Sequence, residues 1–257
     1  MLSPAIEESK VHVILLDIEG TTTPIDFIYQ TLFPYASRKM ESFICKHFKE
    51  PEVMSLIQQL YTQHQIDERQ GLQPPIWIDK AAAADDKLQL LHSVVAYSRW
   101  LISKDSKCTP LKSLQGKIWQ EGYTTGELHG LVYPDVPAAF ERWRRHKLQI
   151  CIYSSGSVLA QQLLFSSIAS GDLTQYIAAF FDTSIGPKTQ TESYRKIAEW
   201  LARNPCDFLF ISDSMKEVKA AHGAGMKPIL CNRDPYSSPQ LPETKMVIHS
   251  FDEILPD

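Results

Sequence analysis

Two carboxylates stand at the end of an apolar run. Val11-His12-Val13-Ile14-Leu15-Leu16 leads into Asp17-Ile18-Glu19, and Gly20-Thr21-Thr22-Thr23-Pro24 follows. The run reads as a buried strand and the tail as a tight turn. Asp17 and Glu19 then sit where a strand leaves an open α/β sheet, the place where such sheets bind ligands. Two carboxylates this close repel unless a cation or a proton relieves them. Three further strand-to-loop junctions carry polar groups. Ser154 and Ser155 follow the apolar run Leu148–Tyr153, and their Ser-Gly turn opens a helix whose unpaired N–H groups suit an anion. Lys188 lies in the loop after a short strand, Ala178–Phe181, and Asp213 follows the strand Phe208–Ile211. A carboxylate nucleophile, a hydroxyl and N–H cradle, a lysine and a metal together suit phosphoryl transfer, whose transition state gathers negative charge on several oxygens. Asp17 and Asp213, with waters, offer the oxygen-rich surroundings that Mg²⁺ prefers.

Each feature alone has an ordinary structural reading. Ser154-Ser155-Gly156-Ser157 is a common turn with Ser157 as helix N-cap, Lys188 a solvated lysine, and Asp213 a helix cap. Glu217 stands three residues after Ser214, the capping-box spacing, and this structural role is preferred for it over support of a metal site. It is the four features together, in this order along the chain, that favour chemistry.

The elements that must position these groups alternate as α/β. After Pro24 comes a helical stretch. Ala36, Met40, Phe43, Ile44 and Phe48 form one amphipathic stripe, and Val53, Leu56, Ile57 and Leu60 form another. Asp85 or Asp86 is the expected cap of a helix carrying Leu88, Leu91, Val95 and Ile102. Thr109-Pro110 reads as an N-cap followed by proline at the first helical position. No β-rich run occurs between Ile25 and Gly130. Strands and helices alternate again from Tyr133, which implies a mostly parallel sheet with right-handed crossovers. Pro228 marks the start or the edge of a strand ending at Cys231. The expected organisation is a core of residues 1–24 and 130–257 with an all-helical domain, 25–129, inserted after the carboxylate turn, where it can cover that turn as a lid. Asn232–Pro239 reads as an irregular loop to which no role attaches.

Bulk composition narrows the class. The 257 residues suffice for one large domain or a core with a smaller one, and 44% hydrophobic with 22% charged residues is ordinary for a globular enzyme. A net charge of -4 gives no argument for nucleic acid as partner. Five cysteines without a CxxC pair argue against a disulfide framework or a zinc site. No apolar stretch approaches the ~20 residues of a membrane span. Met1–Glu8 is acidic and lacks a signal-peptide core, so the expected compartment is the cytoplasm, with the nucleus as a further location.

Asp17-Ile18-Glu19-Gly20-Thr21 resembles the Asp-x-Asp-Gly-Thr motif of the haloacid-dehalogenase-like (HAD) phosphohydrolases, and Ser154, Lys188 and Asp213 with Glu217 resemble that superfamily's other three motifs. The resemblance implies a three-layer, Rossmann-like core with the first strand between those ending in Ser154 and Asp213. Glu19 replaces the usual second aspartate. The string Asp-Ile-Glu-Gly-Thr-Thr-Thr-Pro-Ile, with Tyr-Ser-Ser-Gly-Ser and Glu-Ser-Tyr-Arg-Lys-Ile-Ala, is similar to one branch, the acireductone-forming enolase-phosphatases of methionine salvage. That similarity reaches into the helical insert at Leu114-Gln115-Gly116 and Ile118-Trp119. It implies a small phosphorylated diketone substrate, 2,3-diketo-5-methylthiopentyl-1-phosphate, enolised and then dephosphorylated with Mg²⁺ by a monomeric enzyme. On this reading Asp17 is nucleophile and metal ligand, and Asp213 completes the metal site with the carbonyl of Glu19. Ser154, Ser155 and Lys188 bind the phosphate. Glu19 shuttles the proton and is the first candidate for the enolisation base, with a residue of the insert or a water as alternatives. Competing readings are a general small-molecule HAD phosphatase, a dehalogenase, for which the acidic metal residues would be superfluous, and a catalytically silent scaffold, which has no need of all four groups.

Overall fold

Val13, Ile14, Leu15 and Leu16 are apolar without alternation, the pattern of a strand covered on both faces. They form β1 (Val13–Leu16), and all four side chains are fully enclosed. The computed structural model describes residues 11–78, 87–234 and 246–255. Within these, β2 (Gln149–Tyr153), β3 (Ile177–Phe181), β4 (Phe208–Ser212), β5 (Lys227–Cys231) and β6 (Val247–Ile248) join β1 in one parallel sheet, ordered β3-β2-β1-β4-β5-β6. Leu16 is in register with Ile152 on one side and Ile211 on the other. One residue further on, Asp17, Tyr153 and Ser212 reach the same level, so the chain leaves three adjacent strands at one rim of the sheet.

The chain divides into two compact units, Met1–Phe27 with His129–Asp257, and Ile28–Leu128. In the first, the odd residues of β1 join Cys151, Tyr153, Tyr194, Ile197, Phe208 and Phe210 in one buried cluster. A second line of rings runs from Phe165 through Phe140 and Trp143 to Phe251, all fully buried. The helices of this unit are α5 (Asp135–Arg145), α6 (Val158–Ser166), α7 (Thr191–Trp200) and α8 (Met215–Ala224). Ser157 caps α6 as expected, its Oγ accepting the N–H of Ala160 at 3.3 Å. Pro228 lies inside β5, which has neighbours on both sides. The proline is tolerated because β6 pairs only with Leu230 and Cys231 and leaves it outside that ladder.

The second unit holds α1 (Phe33–His47), α2 (Pro51–Arg69), α3 (Lys87–Ser103) and α4 (Thr109–Thr124), and its described residues contain no strand. The buried stripe of α3 runs through Leu90, Val94, Tyr97 and Leu101, while Leu88, expected on it, is exposed. Asp85 and Asp86 lie outside the described residues. Cys108, not Thr109, is the N-cap of α4. Thr109 and Pro110 occupy its first two helical positions, where a missing N–H leaves no intrahelical bond unmade. Asp67 is buried and accepts bonds from Tyr97 Oη at 2.6 Å and Gln63 Nε2 at 2.8 Å. Among the described residues, no helix is long and apolar enough to cross a membrane.

Phe210 is fully enclosed on β4 and meets the Tyr194 ring edge to face at 5.0 Å. Phe210→Ala is expected to cost about 3–5 kcal/mol, read as a lowered urea midpoint in equilibrium unfolding. An unchanged midpoint would contradict the packing.

Candidate active site

Asp17 is buried at the rim, 3% exposed. Its Oδ1 accepts from Lys188 Nζ at 2.5 Å and from the N–H of Ile18 at 2.7 Å. Its Oδ2 lies 3.1 Å from Ser212 Oγ. Lys188 is also buried and bonds Glu217 Oε2 at 2.8 Å. Ser212 Oγ stands 3.0 Å from that same oxygen and accepts the N–H of Ser214. One hydroxyl proton cannot serve two carboxylates, so a second proton is required when both contacts are made together. Glu217 is suited to hold it: burial, then the neighbouring Asp17, pushes its carboxyl up to about 7. Burial alone would lower the pKa of Lys188, but Asp17 and Glu217 outweigh it and hold the ammonium firmly charged. An isolated buried ion costs several kcal/mol, and two hydrogen-bonded partners offset that here.

The capping box expected between Ser214 and Glu217 does not form. Ser214 is the N-cap of α8 without a side-chain bond, and Glu217 reaches inward instead. A bond to an ammonium is stronger than a bond to a helix-end N–H, and it wins.

A turn of unusual density follows Asp17. The N–H groups of Thr21, Thr22 and Thr23 converge on the carbonyl of Ile18, and Gly20 donates to the carbonyl of Thr23 at 2.8 Å. Gly20 has φ +68, and a Cβ there would fall 2.3 Å from Asp213 Oδ2, so both backbone conformation and space require glycine. Thr21 Oγ1 accepts the N–H of Asp213 at 3.0 Å, tying the loop after β4 to the loop after β1. Glu19 is half-buried and forms a bridge with Thr23. Asp213 lies at the solvent edge. Desolvation by the surrounding chain, then Asp17 and Glu217, pushes its carboxyl up to about 7, with Glu19 adding to the effect. A cavity of about 660 Å³ opens beside it, with Gly20, Ile25, Tyr133 and Arg233 in its wall.

Ser154 is also at the rim and buried, and its Oγ accepts the N–H of Gly156 at 3.2 Å, with half-buried Ser155 between them. Direct bonds therefore join Asp17, Lys188 and Glu217. Asp213 is tied in through Thr21, whereas Ser154 and Ser155 occupy the adjacent strand end and are bonded within their own turn. Arg233 is the participant missed in the sequence. Its Nε and Nη2 donate to the carbonyl of Thr21 at 3.0 and 2.7 Å, and Nη1 bonds Asp135 at 2.6 Å. Its guanidinium lies 4.3 Å from the Tyr133 ring centre and 4.5 Å from that of Phe251. The loop assigned to Asn232–Pro239 thus has an anchoring residue at its start; residues 235–239 lie outside the described residues.

A parallel sheet with a buried aspartate at the end of its central strand, facing a lysine from a later loop, defines a class. The model of haloacid dehalogenase-like hydrolases matches residues 11–225. The chain is 42% identical to "Enolase-phosphatase E1" of Synechococcus elongatus over 95% of its own length and 98% of that protein's. It is likewise 42% identical to the Drosophila melanogaster protein of that name, over 88% and 85% of the two chains. The crystal structure of the UTR4 protein of Saccharomyces cerevisiae superposes with TM-score 0.73 at 31% identity, covering 95% of this chain and 100% of that one. A predicted phosphoglycolate phosphatase from Haemophilus somnus, at TM-score 0.52 and 15% identity, shares the fold. The chain belongs to the haloacid dehalogenase-like hydrolases and, within them, to the enolase-phosphatase E1 family.

Asp213 and Glu217 hold protons more tightly in the folded chain than at their ordinary values near 4. Their contribution to stability is complete below about 4 and is lost as pH climbs through about 7. Thermal unfolding in EDTA should therefore give a midpoint that falls between pH 5 and pH 8, with Asp213→Asn showing a flatter profile. Parallel profiles for the two proteins would contradict the raised pKa of Asp213.

Proposed function

We propose that this chain is the bifunctional enolase-phosphatase that converts 2,3-diketo-5-methylthiopentyl-1-phosphate to the acireductone and inorganic phosphate. The observation that carries the reading is the bond of Lys188 to buried Asp17 at the end of the central strand, in a chain 42% identical over nearly its whole length to proteins named for that pair of activities. Asp17 attacks phosphorus, the bond from phosphorus to the leaving oxygen breaks, and an aspartyl-phosphate forms that water then hydrolyses. Lys188 binds the transferred oxygens, as do Ser154, Ser155 and the N–H groups opening α6. Glu19 gives a proton to the leaving oxygen and takes one from the attacking water, and is the first candidate for the base that removes the proton next to the carbonyl.

The donor set suits Mg²⁺. Asp17 and Asp213 are carboxylates and the main-chain carbonyl of Glu19 adds a third oxygen; the raised pKa of Asp213 comes first from desolvation and then from the neighbouring Asp17 and Glu217, whose charge a cation would offset. Among the described residues no three His, Cys, Asp or Glu side chains gather as a ready metal cage, so the set relies on main-chain oxygen. A Mg²⁺ ion held by Asp17, Asp213 and the carbonyl of Glu19 would supply positive charge to offset that of a phosphate and of the acidic loops.

Asp17→Asn should fold, by circular dichroism, and lose phosphate release by at least about 10³-fold. Full release by that variant would remove Asp17 as nucleophile. With the wild-type protein and Mg²⁺, release confined to the diketo phosphate in a panel of phosphate esters supports the proposal. Broad release points to a general phosphatase, and undiminished turnover in EDTA removes the metal.

A further inference from the structure

The loop that carries Lys188 is held in an unusual way. Three successive main-chain carbonyls each accept a bond from a different side-chain hydroxyl: Gly186 from Tyr153 Oη at 2.7 Å, Pro187 from Ser193 Oγ at 2.8 Å, and Lys188 from Tyr194 Oη at 2.7 Å. Tyr153 and Tyr194 are fully buried and Ser193 nearly so. The two tyrosine rings meet edge to face at 5.5 Å, and Tyr194 is braced in turn by Phe210. Gly186 has φ +148, and a Cβ there would fall 2.3 Å from Ser193 Oγ, so the loop lies close against the hydroxyl that holds it. Phenylalanine would fill the same core volume at both tyrosine positions. The Tyr194 hydroxyl adds its bond to the loop, and the Tyr153 hydroxyl adds its bond to the loop and a contact with Ser193. Of the three carbonyls, that of Pro187 also accepts the N–H of Gln190 in a turn at 3.0 Å.

We propose that Tyr153, Ser193 and Tyr194 are positioning residues for Lys188, fixing the backbone from which its ammonium reaches Asp17 and Glu217. A lysine stem has four rotatable bonds, so an unanchored main chain would spread the ammonium over many positions. Anchoring three consecutive peptide units removes that freedom before a phosphate arrives. The functional part of this inference rests on the phosphatase reading; the geometric part does not.

The test uses Tyr194→Phe, Tyr153→Phe and the double variant, with Ser193→Ala as a milder companion should the double variant fold poorly. The first readout is the rate of reductive methylation of Lys188, located by peptide mass spectrometry on the full chain. We expect at least a tenfold acceleration in the double variant, with its thermal midpoint within a few degrees of wild type. The second is the affinity for inorganic phosphate in MgCl₂ by calorimetry, expected to weaken about tenfold. In a Lys188→Ala background the tyrosine changes should weaken phosphate binding no further. Unaltered labelling of Lys188 in every folded variant would overturn the proposal, and so would an equal loss of phosphate affinity with and without Lys188. Accelerated labelling in a protein whose wild type binds and releases no phosphate would uphold the positioning role and remove the phosphatase reading instead.

Discussion

Lys188 comes from the loop after β3 and lies between Asp17, after β1, and Glu217, on α8. The arrangement at this rim of the sheet follows from that reach. Without the ammonium, Asp17 and Glu217 would face each other through Ser212 with no cation between them, in a place where water cannot screen them, and could not both ionise. With it, the buried pair is compensated, and the residual excess falls on Asp213 at the solvent edge. The site is thus graded: balanced charge inside, surplus acidity where a cation can arrive.

The turn after β1 does two structural jobs with few residues. The N–H groups of its threonines converge on the carbonyl of Ile18, Thr21 presents a hydroxyl to the N–H of Asp213, and its glycine makes room for that same aspartate. Arg233 then holds the outer carbonyl of the turn, with its own charge answered by Asp135. Asp135 in turn receives the N–H of Phe251 and the hydroxyl of Ser250. The acidic loop is therefore tied, through one arginine, to the start of α5 and to the last segment of the chain. Segments remote in sequence share one hydrogen-bonded path, and none of its bonds can be read from local spacing.

That distinction explains what was legible in the sequence. Asp17, Lys188 and Asp213 stood out because each is a polar residue at a strand-to-helix junction in an otherwise periodic pattern, and the order of elements places those junctions together. The central place of β1 was implied by resemblance, since a run of four buried residues says only that both faces are covered. Glu217 was misread because its spacing from Ser214 satisfies a local rule, while the partner that wins lies in another loop. Arg233 left no signal, because a single arginine past a strand looks like any solvated one until its contacts with Thr21, Asp135, Tyr133 and Phe251 are known. In the helical unit the departures were smaller: a proline early in α4 marks the helix start without fixing the capping residue.

The position of β1 also shapes how the molecule is made. Among the described strands it comes first along the chain, yet its neighbours begin at Gln149 and Phe208. The apolar segment Val13–Leu16 therefore waits without a sheet partner until most of the chain has been synthesised, while the unit Ile28–Leu128 is continuous and has its own interior available early. Closing β1 between β2 and β4 then bridges long stretches of chain, the kind of step that slows folding. Because Asp17 meets Lys188 and Ser212 only after that closure, a nascent chain gains the surroundings of this aspartate late, and truncated chains ending before β4 would carry it without them.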